Sequence, residues 1–422
     1  MNVQLFNPPV HHYAGVHYKM NPGLGLPILA AVLQNAGYRA SVLDLEALLV
    51  SPEQLALQFR AKPERWPDAV GFTVTTHNAR GARECVKALR DAGYRGYVML
   101  GGPHITLLAR QEDKPADLWG ADVWVAGECE GNVASIVEAR PKGIVQGEQV
   151  AMSRIPAPAW HSHRPMPTEY MGNQPKIGHP EGISMWSRGC PHMCTFCGNP
   201  VFNKQRIRTR PAEHIAAEMA QLKALGVKAV FVYDDELVGV YSQGHPEWLA
   251  GVCKEIEPLG LVWKCQGRCS TKLELAELQG MYAAGCRAIM WGVESFSQPV
   301  LTAMRKGTTE ADIWHTLRTA KQAGIGNWLF MMVGNYAETG THLAYTEQQL
   351  AKATEGGLVQ WRQVTVCTPV LGSPLYETAK AEGWLKESPE AGPQMHQVYN
   401  ATPWLSEREL RHWVGRLERA GL

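Results

Sequence analysis

Through residues 1–138, short apolar runs alternate with longer stretches whose apolar positions recur at helical spacing. MNVQLF (1–6), YRASVLDL (38–45), AVGFTVTT (69–76), YVMLGG (97–102) and DVWVAGE (122–128) read as strands. GLPILAAVLQNAG (25–37) and GARECVKALRDAG (81–93) read as helices that stop at glycine, and a shorter helix follows from Asn132. Strands joined through helices of this length need right-handed crossovers. The pattern therefore predicts an α/β, doubly wound domain on a parallel sheet. Ligands of such sheets sit on loops at the carboxyl ends of the strands. Those loops here are NPPVHH, TTHN, GGPH and GECEG.

Between 139 and 180 both periods dissolve. Pro141, Pro156, Pro158, Pro165, Pro167, Pro175 and Pro180 are too many for a helix or a central strand, so the segment reads as a linker wrapping the surface. A second alternating series starts at 183. Its strands are ISMWS (183–187), VKAVFVY (227–233), LVWKCQG (261–267), CRAIMWGVE (286–294), NWLFMMVG (327–334) and VQWRQVTVC (359–367). Helices begin near Pro211, His245, Lys272, Thr309 and Thr341. Six βα units without a seventh predict a partial (β/α)6 barrel over 181–385, open on one side. Functional groups then belong at the C-terminal strand ends. Residues 386–422 form an extension in which PWLSERELRHW reads as a capped helix start. Trp186, Trp263, Trp291, Trp328 and Trp361 fall in barrel strands. Strand aromatics are core more often than ligand wall, so these name no substrate.

Composition narrows the classes. The 422 residues carry 41 basic and 40 acidic side chains, which argues against broad binding to nucleic acid or acidic membrane. The basic run KQRIRTR (204–210) offers too few phosphate contacts and reads as a solvated loop. The start, MNVQLFNPP, lacks the pattern of a signal peptide, and no apolar stretch is long enough to span a membrane. Ten cysteines without the layout of a secreted disulfide scaffold suggest a reducing cytoplasm. His11, His12 and His17 have no acidic partners and carry no metal reading.

The chemistry concentrates in SRGCPHMCTFCGNP (187–200), where Cys190, Cys194 and Cys197 stand at C-x3-C-x2-C after the first barrel strand. The spacing would suit one helix face, but Pro191 and Gly198-Asn199-Pro200 leave little room for a helix. Zinc wants four closed ligands. His192 is badly placed to share an ion with its neighbours, which leaves Cys265 and Cys269 as the only spaced pair to complete the set. An iron–sulfur cubane fits better: three thiolates leave one iron open to a cosubstrate.

CPHMCTFC resembles the signature of the radical S-adenosylmethionine (SAM) superfamily, including Phe196 before the last cysteine. The resemblance implies a [4Fe-4S] cluster on Cys190, Cys194 and Cys197. Its open iron binds SAM and its electron releases a 5'-deoxyadenosyl radical. The partial barrel is also the family's fold. The resemblance further assigns Asp234 or Asp235 in FVYDDE to the SAM methionine, a helix cap being the alternative reading. Arg268 is assigned to the SAM carboxylate. Glu294 in GVES is assigned to the ribose or amino group, and Gly334 and Asn335 in GNYAET to the adenine. The last motif departs from the family's G-x-P-G-E-T, with Tyr336-Ala337 in place of Pro-Gly. TPVLGSPLY (368–376) resembles the sixth-strand pattern, also altered in the middle.

The domain over 1–138 resembles the N-terminal, Rossmann-like cobalamin-binding domain of one subclass. The matching pieces are NPP, GLGLPILAAVLQNAGYRASVLDLEA, MLGGPH and VAGECEG. A flavodoxin-like or nucleotide-binding domain is the alternative, but neither phosphate-loop fingerprint is present. The resemblance implies cobalamin on Thr75, Thr76, His77 and Asn78, on Gly101, Gly102, Pro103 and His104, and on Gly127 and Glu128. No D-x-H-x-x-G motif supplies a cobalt ligand.

Together these imply a methyltransferase. One SAM methylates cobalamin, a second yields the radical, and a substrate carbon takes the methyl. A small-molecule or peptide substrate and an electron donor such as flavodoxin or ferredoxin are the expected partners. A non-methylating rearrangement or cyclisation with the same cofactors is the first rival. A corrinoid or iron–sulfur carrier is the second. A methylthiotransferase is disfavoured, since Cys85 and Cys129 are too few for a second three-thiol cluster.

Overall fold

The computed structural model describes residues 1–10, 20–111, 114–203, 206–238, 246–385 and 402–422. His11, His12, His17 and residues 386–401 lie outside these. The chain divides into two compact units, Met1–Gly172 with Pro180–Gly182, and Asn173–His179 with Ile183–Glu387 and the C-terminal helix.

The first unit is built on strands β1 (Asn2–Asn7), β2 (Arg39–Asp44), β3 (Ala69–Thr73), β4 (Tyr97–Gly101), β5 (Val123–Ala126), β6 (Gly143–Gln146) and β7 (His163–Arg164). They form one parallel sheet in the order β6-β5-β4-β3-β1-β2-β7. All of Val123–Ala126 and nearly all of Ala69–Thr73 are buried, which explains their unbroken apolar runs. Among the described residues, helices α1 (Gly25–Asn35), α2 (Pro52–Ala61), α3 (Ala79–Asp91), α4 (Pro103–Leu108) and α5 (Val133–Ala139) accompany the sheet. Winding reverses where β1 lies between β2 and β3, so the loops after β1 and β3 diverge there.

The stretch 139–180, expected as a linker, supplies both edge strands of this sheet, β6 and β7. Its Trp160 is fully buried, and Tyr170 donates to Asp44 Oδ2 at 2.8 Å. Proline bars a central strand because it lacks a donor, but an edge strand pairs on one side only and tolerates it nearby.

In the second unit, β8 (Glu181–Ser184) lies beside β11 (Ala229–Val232), followed by β12 (Val262–Arg268), β13 (Cys286–Glu294), β14 (Gly326–Val333) and β15 (Trp361–Val366). From β11 to β15 the neighbours are parallel and in chain order, giving the expected half-barrel. The predicted strand 183–187 is cut in two. After β8 the chain re-forms as β9 (Ser187–Arg188), which pairs antiparallel with β10 (Arg208–Thr209). This small ladder closes the neck of the cysteine loop. Beneath it Arg210 Nη1 meets Glu218 Oε2 at 2.6 Å, both side chains buried.

Among the described residues, the helices of this unit are α6 (Asn199–Asn203), α7 (Ala212–Ala224), α8 (Pro246–Ile256), α9 (Leu275–Ala283), α10 (Gln298–Ala303), α11 (Glu310–Gln322), α12 (Gly340–Glu355), α13 (Pro374–Ala381) and α14 (Glu407–Arg419). The last starts as read, with Ser406 and Glu409 in a capping box. It packs outside the barrel, where Arg362 Nη1 of β15 donates to Leu417 O at 3.2 Å. Among the described residues no helix is long and apolar enough to cross a membrane.

Candidate active site

Residues 189–198 form a non-helical loop, as Pro191 required. It opens at Gly189, whose φ of +105° suits glycine alone. Asp235 Oδ2 accepts the Gly189 N–H at 3.1 Å. Thr195 N donates to Met304 O at 2.9 Å and tethers the loop to the turn after α10. Cys194 is buried; Cys190 and Cys197 are half-buried. Burial pushes the Cys190 thiol up to about 12 and that of Cys197 to about 11, the nearby Lys306 charge opposing the latter. A metal centre, by supplying positive charge, would favour their thiolate forms.

Among the described residues, no three His, Cys, Asp or Glu side chains gather as the ligands of one metal ion would. A single tetrahedral zinc needs its ligands crowded about one point. A cubane takes each thiolate on a different iron. The zinc alternative also loses its extra ligands. Cys265 is fully buried beside Cys286, and Cys269 is buried beside Thr316. The loop thus fits an iron–sulfur cluster better than a closed zinc site.

The strand ends around the loop carry charge. Arg268 closes β12, places Nη1 3.7 Å from Cys194 Sγ and leaves a buried Nη2 without a hydrogen-bond partner. Glu236 Oε1 accepts the Arg268 N–H at 3.1 Å. At the end of β13, Glu294 adopts φ +64° beside a break in strand register and pairs with Lys306 Nζ at 2.9 Å. Burial alone would lower the Lys306 pKa, but Glu294 and Cys194 together raise it. A Cβ on Gly292 would lie 2.8 Å from Lys306 Nζ, so glycine there makes room for the ammonium. Lys306 Nζ also stands 5.8 Å from the centre of the Phe196 ring. A guanidinium with one unpaired nitrogen, a buried ion pair and the Glu236 carboxylate suit a zwitterionic cosubstrate beside the loop.

Asp234, expected to face that cosubstrate, is instead consumed by the fold. Its carboxylate accepts Trp186 N at 2.8 Å, Ser187 N at 2.7 Å and Ser187 Oγ at 2.6 Å. It fixes the strand end that launches the cysteine loop. Burial raises its pKa to about 7 against the pull of those donors. Asp235 keeps an exposed position on the loop entrance. Glu236 and Lys306 are the members of this constellation that sequence reasoning missed. Glu236 completes a visible acidic triplet; Lys306 carries no spacing signal.

Gly334 (φ +85°) and Asn335 follow β14 as expected, with Asn335 buried. Glu338 Oε2 accepts both their N–H groups, at 2.7 and 3.2 Å. Ala337 takes φ +64°, the conformation that glycine of the usual motif adopts without strain. Glu338 is fully buried, and desolvation pushes it up to about 8. The folded chain therefore favours the protonated carboxyl. That contribution to stability is whole below the ordinary value of 4.5 and is lost as pH rises through about 8. The melting temperature should fall between pH 6 and pH 8, and Glu338→Gln should flatten part of that slope. An unchanged slope in the variant would refute the assignment.

Two family models match the chain: the Radical SAM superfamily over residues 185–344 and the B12 binding domain over 14–137. The chain belongs to the radical SAM superfamily and carries an N-terminal B12-binding domain. The cofactor set of this radical SAM class is a [4Fe-4S] cluster, SAM and cobalamin. An uncharacterized methyltransferase of Pyrococcus horikoshii is 27% identical over 381 residues, covering 86% of this chain and 80% of its own. The anaerobic magnesium-protoporphyrin IX monomethyl ester cyclase of Cereibacter sphaeroides is 26% identical, covering 88% and 63%. Among solved structures, the radical SAM methyltransferase TsrM from Kitasatospora setae shares the fold, with a TM-score of 0.67 at 18% identity over 92% of this chain and 76% of that one.

In the B12-binding domain the predicted loops line one sheet end, but their residues divide. Thr75 and Thr76 are half-exposed, and His77, Pro103 and Gly127 are exposed. Gly127 (φ +94°) has open space where a Cβ would stand, which suits a broad flat ligand. Gly101, Gly102 and Glu128 are half-buried at the same edge. Gly102 serves the fold: a Cβ there would lie 2.8 Å from the Val74 backbone. His104 and Asn78 lie beneath that edge. His104 is fully buried against Trp119, its Nδ1 3.2 Å from Thr76 Oγ1, and burial pulls it down to about 4. Asn78 is buried and bonds Thr75 N and Asn7 Oδ1 at 2.7 and 3.2 Å. Both brace the loops from beneath through these contacts.

Proposed function

We propose that this radical SAM protein is a cobalamin-dependent methyltransferase that places a methyl group on a substrate carbon. The observation that carries the reading is a corrinoid-binding domain and a three-thiol radical SAM loop in one chain. The long similarity to a protein named as a methyltransferase supports it. When bound, the cluster supplies the electron that cleaves SAM, and the corrinoid supplies the methyl. The chain's own residues bind and orient. Cys190, Cys194 and Cys197 hold the cluster. Arg268 and Lys306 give positive charge, and Glu236 and Glu294 give acceptors, for the amino and carboxylate groups of SAM. Asp234 and the β9–β10 ladder keep the loop in register with them.

The similarity to a cyclase favours a second reading, the same radical chemistry without methyl transfer. A methylthiotransferase is not supported. Of the first unit's two cysteines, Cys85 is fully buried with its thiol pKa pushed far up by desolvation. The test is anaerobically reconstituted protein with SAM, cobalamin and a low-potential reductant. Release of both 5'-deoxyadenosine and S-adenosylhomocysteine is expected. 5'-Deoxyadenosine alone would move the assignment to the cyclase-like reading. Neither product would leave a carrier protein.

A further inference from the structure

The inner face of the half-barrel carries an apolar and aromatic band, part of it packed as core and part of it left open. Outward-facing residues of the same strands are committed to the helix side. Trp263 Nε1 donates to Ala284 O at 2.8 Å and Trp291 Nε1 to Asn327 Oδ1 at 2.7 Å. Asn327 Nδ2 donates to Leu317 O and Leu358 O at 3.0 and 2.8 Å. Alternation puts the residues between them on the opposite, inner face. Register then aligns Gln266 with Met290, Met290 with Trp328, Trp328 with Trp361, and Phe330 with Gln363. Phe231, Met290 and Trp328 pack as one cluster, with Phe330 and Trp361 partly open against it.

Three properties of this face define an occupant. It is aromatic and apolar, and Trp328 and Phe330 present tilted rings 6.0 Å apart. It holds a buried donor without an acceptor, Trp328 Nε1, on a side chain 5% exposed. A buried N–H left unpaired costs roughly as much as a hydrogen bond contributes, so it marks a place for an acceptor. It also offers no free ammonium at Lys264, which donates to Asn173 O and, at 2.9 Å, to Pro175 O. Half-buried Gln266 on β12 and Gln363 on β15 add neutral amides. At the strand ends above stand Arg268 and Glu294, beside the cysteine loop.

We propose that this inner face seats a neutral, flat, largely apolar substrate body whose hydrogen-bond acceptor meets Trp328 Nε1. The proposal rests on the reading that radical chemistry occurs at the strand ends above it. It excludes polyanions and sugars as the part of the substrate that enters the barrel. An aromatic wall rewards apolar contact area, and the single donor selects orientation.

The test is equilibrium binding by calorimetry to the full, anaerobically reconstituted chain, with quinoline and naphthalene as probes. They are matched in shape, and only quinoline carries an acceptor. The wild type is expected to bind quinoline about fivefold more tightly, the value of one neutral hydrogen bond. Trp328→Phe keeps an aromatic ring but loses the donor, and should bring the two affinities together. Equal affinities in the wild type, no binding of either probe, or an undiminished preference in Trp328→Phe would each overturn the proposal. Where Trp328→Phe does not fold, the wild-type preference alone decides. No turnover is read. A chain with this preference that releases no S-adenosylhomocysteine defeats the methyl-transfer reading alone, and product without the preference defeats this proposal alone.

Discussion

Cys194→Ala is expected to abolish SAM cleavage, cutting 5'-deoxyadenosine release by more than ~10³-fold, as when one member of a group acting as a unit is removed. Three thiolates are the fewest the loop can offer while leaving one iron open. With two, the protein holds the cubane weakly or not at all. Folding should survive. The side chain is small, the loop is held by Asp235 at its entrance and by Thr195 N to Met304 O, and replacing one buried thiol costs only about 1 kcal/mol. Far-ultraviolet circular dichroism should therefore match the wild type, while iron and sulfide content after anaerobic reconstitution falls. Cys269→Ala is the internal control. That thiol is as buried but stands off the loop, so iron loading should persist. If Cys194→Ala kept its cluster and its cleavage rate while Cys269→Ala lost both, the ligand assignment would be wrong.

How legible the fold was depends on how each element buries itself. Strand β13 runs Cys286–Glu294 as its pattern predicts, because a strand covered on both faces carries a continuous apolar stretch, here 288–291. Helix α2 was missed although Ser51, Pro52 and Gln54 spell a capping box with proline at its start; its low apolar content hid the period. Edge strands β6 and β7 were missed because one-sided pairing leaves almost no pattern, and prolines nearby pointed the other way. In the site, the cysteines were legible because one loop supplies all three at fixed spacing. The surrounding charges were less so. Asp234, Asp235 and Glu236 are adjacent in sequence, yet one braces a strand end, one caps the loop and one meets the Arg268 backbone. Only the fold distinguishes them. The five barrel tryptophans show the same limit. Register sends Trp263 and Trp291 to the helix side and Trp328 and Trp361 to the inner face, a difference that composition cannot carry.

Lys306→Met should cost about 3–5 kcal/mol of stability at pH 8, the usual penalty for stranding one member of a buried ion pair. Lys306 and Glu294 are 8% and 9% exposed at the side chain and 2.9 Å apart. By contrast Lys87 and Asp91, at 2.6 Å but 77% and 54% exposed, should be worth only about 0.3–0.5 kcal/mol. The difference is desolvation. Methionine fills the space of the lysine stem but leaves the Glu294 carboxylate in a buried site without its cation. Adding Glu294→Gln removes the stranded charge, and the double variant should recover much of the loss at pH 8. Denaturant unfolding of the four proteins at pH 8 gives the coupling directly. A Lys306→Met chain within about 1 kcal/mol of the wild type at pH 8 would show that the pair is not desolvated as described. The strained backbone of Glu294 at φ +64° should follow the same logic. Such a conformation persists only where its surroundings over-determine it, and the Lys306 ammonium is the contact that holds this carboxylate beside the cysteine loop.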